Sequence, residues 1–149
     1  MQRTLILILA LTTACAPGEE AAQDTASAAV TLSDFAGTWY GTATPAGSDA
    51  VAANVEMLAT STHDGWSFTV VSAANPAQAS TTPARVVAFE GDSVILEAGP
   101  FPSTLRPGEM VSTRSVYRLQ NDSMVGVVQA TYPASGETVT LNSTATRRR

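Results

Sequence analysis

The residues able to do chemistry in this chain are few, and they do not combine into a catalytic set. The single histidine, His63, stands beside Asp64, and a His-Asp pair can serve as the base and orienter of a nucleophilic triad. No G-x-S-x-G elbow accompanies the pair to present a nucleophile, and the turn sequence His63-Asp64-Gly65 puts it in solvent. There is no second histidine and no clustered carboxylate set, so neither a metal site nor a cofactor is expected. Cys15 is the only cysteine, which excludes an internal disulfide. The remaining candidates are charges that conflict with an apolar strand pair. If Val87, Phe89, Val94 and Leu96 face inward, Arg85 shares their face; if Val86, Ala88 and Ile95 do, Glu97 comes with them. A lone buried charge costs several kcal/mol, so a partner is required. Arg106, in the loop 99–108, can reach Glu97. Glu97, Arg106 and Arg85 are thus candidates for a polar anchor at a pocket mouth, the alternative being that these side chains run to water at the strand ends.

The elements that would position such groups are strands. From residue 35 onward, short runs of β-forming residues alternate with turn residues, and no helical period of comparable length competes. Residues 37–44 place Trp39, Gly41 and Ala43 on one face, and residues 51–60 place Val51, Ala53, Val55, Met57 and Ala59 together. After His63-Asp64-Gly65 come Trp66, Phe68 and Val70. Two hairpins are expected, 85–90 with 93–98 across Gly91-Asp92, and 110–120 with 123–132 across Asn121-Asp122. Counting outward from the second turn pairs Leu119 with Met124, Tyr117 with Gly126, Ser115 with Val128 and Thr113 with Ala130. Paired residues share a face, so Tyr117 can lie over the side-chain-free Gly126, while Arg114, Arg118 and Gln129 face the other way. A final strand spans 137–146. The reading is an all-β fold, a single antiparallel meander of 7–8 strands, closed or partly closed into a small barrel whose interior is filled by side chains or holds one small ligand.

Composition agrees with one folded domain. Hydrophobic residues make up 44% and charged residues 14% of the 149-residue chain, too apolar for overall disorder. The net charge of -5 repels phosphate backbones, so nucleic acid is not an expected partner. The start of the chain has a different character. Arg3 precedes the apolar run from Leu5 to Leu11, then Thr12, Thr13 and Ala14 lead to Cys15. That is the order of a secretory signal, too short to span a bilayer, which takes about 20 apolar residues. Residues 16–31 are small and acidic and read as a flexible tether reaching roughly 20 Å.

A cysteine directly after such a segment resembles the lipobox of bacterial lipoproteins. The resemblance implies cleavage before Cys15, acylation of its thiol and new amino group, and a membrane partner in the form of a lipid anchor. Domain limits follow: signal 1–14, lipidated cysteine and tether 15–31, barrel-like domain 32–147, basic tail 148–149. The expected location is extracytoplasmic, lipid-anchored in the bacterial envelope; Ala16 in place of an aspartate favours the outer membrane. Gly37-Thr38-Trp39, after Leu32 and Phe35, is similar to the G-x-W motif of lipocalins and the wider calycin group. It implies that Trp39 closes the barrel floor with an arginine from the last strand packed across it, Arg147 or alternatively Arg118.

The functional expectation is a non-catalytic envelope protein that binds a small apolar ligand inside the barrel. Small residues, Ala43, Ala53, Ala59, Gly126 and Ala130, face large ones and can leave a cavity. The candidate binding residues are Trp39, Met57, Trp66, Phe68 and Tyr117, with Glu97 and Arg106 at the mouth. The alternative is an envelope protein that presents an outer β-face to a protein partner, in the manner of inhibitor-type lipoproteins. Val116, Val125 and Val127 share that outward side, and an exposed apolar patch can mark an interface.

Overall fold

A computed structural model describes residues 29–148. Cys15, the signal segment and most of the tether lie outside the described residues, as does Arg149. A single helical turn, α1 (Leu32–Phe35), precedes β1 (Gly37–Pro45), β2 (Ala53–Ala59), β3 (Trp66–Ser72), β4 (Ala79–Glu90), β5 (Ser93–Pro102), β6 (Met110–Gln120), β7 (Ser123–Tyr132) and β8 (Glu137–Arg147). The strands form a closed barrel in chain order, every neighbour antiparallel, with β8 returning to β1. Closure leaves no unpaired sheet edge.

The hairpin of β6 and β7 has the register that its turn dictates: Gln120 opposite Ser123, Leu119 opposite Met124, Tyr117 opposite Gly126 and Ser115 opposite Val128. Asn121 takes a positive φ of 55°, the left-handed conformation that a two-residue hairpin turn needs and that asparagine tolerates. An added Cβ on Gly126 would run into the Tyr117 ring and the Val116 carbonyl. The missing side chain is therefore what lets the ring lie across β7.

The conflict in β4 is resolved by a bulge. The register shifts between Val86 and Ala88, so one extra residue on β4 lets both Val86 and Phe89 join the core with Val94 and Leu96. Arg85 and Glu97 then face each other on the outer surface, and neither register's inward charge arises. Strand β4 also starts earlier than the turn-like Thr81-Thr82-Pro83 suggests. Buried Thr82, Ala84 and Val86 alternate with exposed Pro83 and Arg85, and that inside-outside period carries the strand through the proline. At the other end of the hairpin, β5 continues past an irregularity between Ala98 and Phe101 to pair Phe101 with Val111, where a loop is expected from the Gly-Pro sequence.

One end of the barrel is packed solid. Phe35, fully buried at 0% exposure, meets Trp66 at 6.3 Å and Phe89 edge-on at 6.1 Å between ring centroids. The Trp39 indole donates to the Phe35 carbonyl at 2.8 Å, and that of Trp66 to the Thr62 carbonyl at 2.9 Å. Buried indole N–H groups need such partners. Arg147 lies over the Trp39 ring at 4.6 Å and donates to the Asp34 carbonyl, tying the last strand to α1. Arg118, the other arginine considered for this position, is exposed on the outer wall opposite Ser93 and Val125. The Asp34 carboxylate accepts from the backbone N–H and hydroxyl of Thr31 at 2.7 and 2.8 Å. These bonds, the backbone one foremost, hold its pKa below the usual aspartate value.

Candidate binding cavity

The other half of the barrel is not filled. Above the packed floor, small inward residues come from four strands: Ala43 on β1, Ala53 on β2, Ala130 on β7 and Ser143 on β8. Larger residues complete the wall, Phe68, Val70, Val111, Tyr117 and Val128 among them, around a cavity of about 80 Å³. Among the described residues no charged side chain lines it.

The roof comes from the connection between β5 and β6. Ser103 and Thr104 are buried there, at 8% and 9% exposure, and Phe101, Ser103, Thr104 and Leu105 all line the cavity. Leu105 packs on the cluster of Ala43, Ala53 and Leu141, which belongs to β1, β2 and β8. Those strands lie across the barrel from β5 and β6 in the order of the sheet, so the segment crosses the mouth as a strap. Its fold is local: the Ser103 hydroxyl accepts from the backbone N–H groups of Leu105 and Arg106 at 3.2 and 3.0 Å, and the Ser103 N–H donates to the Glu109 carbonyl at 2.8 Å.

A two-point latch holds the strap. Arg106 donates to both carboxylate oxygens of Glu137, at 2.8 and 2.6 Å, a forked geometry stronger than a single ion pair. Its guanidinium also stacks over Tyr132, 4.2 Å from the ring centroid. The Arg106 hydrogen bonds pull the Glu137 carboxyl below its ordinary value, and the same bonds raise the Arg106 pKa. A surface groove outside the strap shares Leu105, Tyr132 and Leu141 with the cavity, so these three side chains are the partition between lumen and solvent.

The lining also carries hydroxyls: Ser103 and Tyr132, which pair at 3.4 Å, Thr104 and Thr113, and a cluster around Tyr117. Tyr117, on β6, is 2% exposed and hydrogen-bonds through its hydroxyl with Ser115 on its own strand and with Ser143 on β8. Because Gly126 of β7 has no side chain, the Tyr117 ring passes over it toward β8, where Ser143 is the residue opposite Gly126. Burial raises the phenol pKa, and the two hydroxyl bonds offset part of that rise.

Of the candidate binding residues, Phe68 and Tyr117 line the cavity. Trp39, Met57 and Trp66 belong to the packed core cluster at the floor and do not line it. Glu97 and Arg106 are not brought together. Glu97 pairs on the outer wall with Arg114 at 2.8 Å and with Arg85 at 3.7 Å, while Arg106 meets Glu137 at the strap. The anchor at the mouth is thus Arg106 with Glu137 and Tyr132. The strap residues Phe101 and Leu105 and the serines Ser115 and Ser143 were not singled out by sequence. Two large apolar residues inside a proline-bounded loop are the signal that this loop folds inward. The serines alternate in phase with Tyr117 on β6 and with Leu141 on β8.

His63 is exposed in the turn between β2 and β3, where its carbonyl accepts from the Val86 N–H at 2.8 Å. Among the described residues no group of three or more His, Cys, Asp or Glu side chains is placed to hold a metal, and no helix is long and apolar enough to cross a membrane. No protein-family model, curated protein or solved structure matches the chain.

Proposed function

We propose that this protein is a non-catalytic binding protein of the bacterial envelope that holds a compact apolar molecule inside its barrel. The observation that carries the reading is the uncharged cavity above the floor, its wall surface largely apolar and its mouth roofed by a latched strap. Its lining of aliphatic and aromatic side chains with a few convergent hydroxyls is the composition of small-molecule sites. At about 80 Å³ the chamber under the closed strap is smaller than the roughly 150 Å³ that holds a benzene ring in an engineered protein cavity, so a single-ring molecule enters only as lining side chains or the strap give way. A long-chain ligand needs the strap to lift. On this reading the lipobox-like segment supplies a lipid anchor at Cys15, and the domain works at the outer membrane on a short tether. The Gly37-Thr38-Trp39 start with Arg147 across the indole supports a calycin-like relationship.

Toluene tests the reading. A ligand that binds only the folded state stabilises it by RT ln(1 + [L]/Kd), about 2.7 kcal/mol at a hundredfold excess over Kd, so a saturable rise in Tm is expected. Absence of both a Tm rise and NMR shift changes across a panel of single-ring apolar compounds would remove the proposal. A second reading, display of an outer face to a protein partner, is favoured by Val116 and Val127. They pair across β6 and β7 at 41% and 43% exposure. In that case crosslinking from Val127 in intact cells should recover a defined partner.

A further inference from the structure

We propose that the lumen selects an uncharged molecule with one oxygen, and that the hydroxyl cluster of Tyr117, Ser115 and Ser143 is the group that reads that oxygen. This rests on the ligand-binding reading above and adds to it the chemical class and the specificity-determining residues.

Two observations point the same way. The first is that no charged side chain among the described residues lines the cavity. An ionised group that enters such a space sheds its water without gaining a counter-ion, at a cost of several kcal/mol. Arg106 and Glu137, at the mouth, already neutralise each other through two hydrogen bonds, and Arg106 lines the groove outside the strap, so the pair offers no anchor to a carboxylate inside. The second is that the three residues of the hydroxyl cluster line the lumen and are each 3% exposed or less, while two of the other hydroxyls in the lining, those of Ser103 and Tyr132, pair with each other at 3.4 Å. Hydroxyls both donate and accept and can rotate toward a ligand oxygen. Burial keeps the Tyr117 phenol protonated well above neutral pH, so it remains a donor and brings no negative charge into the lumen. The cluster also has a fixed position. Tyr117 is seated by the missing side chain of Gly126 and spans to the neighbouring strand, which gives the oxygen of a bound molecule a defined place.

The test uses three single-ring probes of similar shape: toluene, with no oxygen; benzyl alcohol, with one neutral oxygen; and benzoate, charged at pH 7. Affinities are measured by calorimetry or NMR titration on the full chain, its Tyr117→Phe variant and, as a second route that keeps the phenol, its Ser143→Ala variant. The expected result is that Tyr117→Phe weakens benzyl alcohol about tenfold, the equivalent of one hydrogen bond of about 1.4 kcal/mol, and leaves toluene within twofold. Ser143→Ala should weaken benzyl alcohol selectively in the same sense. Benzoate should bind at least a hundredfold more weakly than benzyl alcohol. If benzyl alcohol and toluene respond equally to both variants, the hydroxyl cluster reads nothing and this inference falls while the cavity reading stands. Benzoate binding within tenfold of benzyl alcohol, lost on Arg106→Gln, would likewise overturn it and move recognition to the mouth. If neither toluene nor benzyl alcohol binds, the ligand-binding reading itself fails, and this inference with it.

Discussion

Replacing Gly126 with alanine asks one methyl group to enter a space already occupied by the Tyr117 ring and the Val116 carbonyl. Tyr117 is 2% exposed, so the ring cannot swing into solvent. Overpacking by one carbon costs about 1–3 kcal/mol where the neighbours cannot give, and here the ring can give only toward the cavity it lines. If the ring tilts to make room, its hydroxyl leaves Ser115 and Ser143, and each lost bond removes about 1 kcal/mol. Against this, alanine gains about 0.5–1 kcal/mol over glycine in a strand through the lower entropy of the unfolded chain. The expected net loss is about 2–4 kcal/mol, or a fall in Tm of about 10 °C or more for a domain of this size, measured by urea and thermal unfolding. The attribution to Tyr117 is checked by a double-mutant cycle with Tyr117→Ala. Once the ring is gone only the backbone contact remains, so the two substitutions should couple by about 1–2 kcal/mol. A Gly126→Ala variant as stable as the parent, or a coupling energy of zero, would refute the packing of Tyr117 over Gly126.

Other consequences can be checked at the two ends of the barrel. Phe35→Ala should cost about 3–5 kcal/mol, as for other fully buried phenylalanines, while leaving toluene affinity in the folded protein unchanged, because Phe35 belongs to the floor. Leu105→Ala removes part of the partition at the mouth, so ligand exchange followed by NMR line shape should speed up with little change in Tm. The Glu137 carboxyl is depressed by Arg106, so the latch is whole above the ordinary glutamate pKa of about 4.3 and is lost as pH falls through the lower native value. Ligand exchange should therefore speed up, in a titration downward from pH 7, only once the pH has fallen below the ordinary glutamate range. Glu137→Gln should show the fast exchange already at pH 7, and exchange that ignores both changes would remove the latch. The indole N–H signals of Trp39 and Trp66 should stay in place during titration, while the ring signals of Phe68 and Tyr117 move.

The β6–β7 hairpin is legible in the sequence because a two-residue turn fixes the register and the apolar residues then fall on one face, with Tyr117 over Gly126 as the consequence. The β4–β5 hairpin is legible only in outline. Its turn at Gly91-Asp92 is plain, but a bulge between Val86 and Ala88 breaks the period of two. No local residue announces that bulge; it is favoured by the chance to bury Val86 and Phe89 together while Arg85 and Glu97 stay wet. Aromatic residues mark the interior without saying which level of the barrel they occupy. Trp39 and Trp66 fill the floor, and the level that stays open is set by Ala43, Ala53, Ala130 and Ser143 from four strands, a coincidence of registers that forms only on closure. The partner of Arg106 was hidden for the same reason, since Glu137 is 31 residues away and meets it only because the strap crosses the mouth.

The most direct test of the account is where a bound molecule sits. Intermolecular NOEs from benzyl alcohol at saturation should reach Val55, Val128 and Leu141 inside the barrel and should be absent from the indoles of Trp39 and Trp66. NOEs confined to the exposed valines Val116 and Val127, or none at all at saturating ligand, would contradict it.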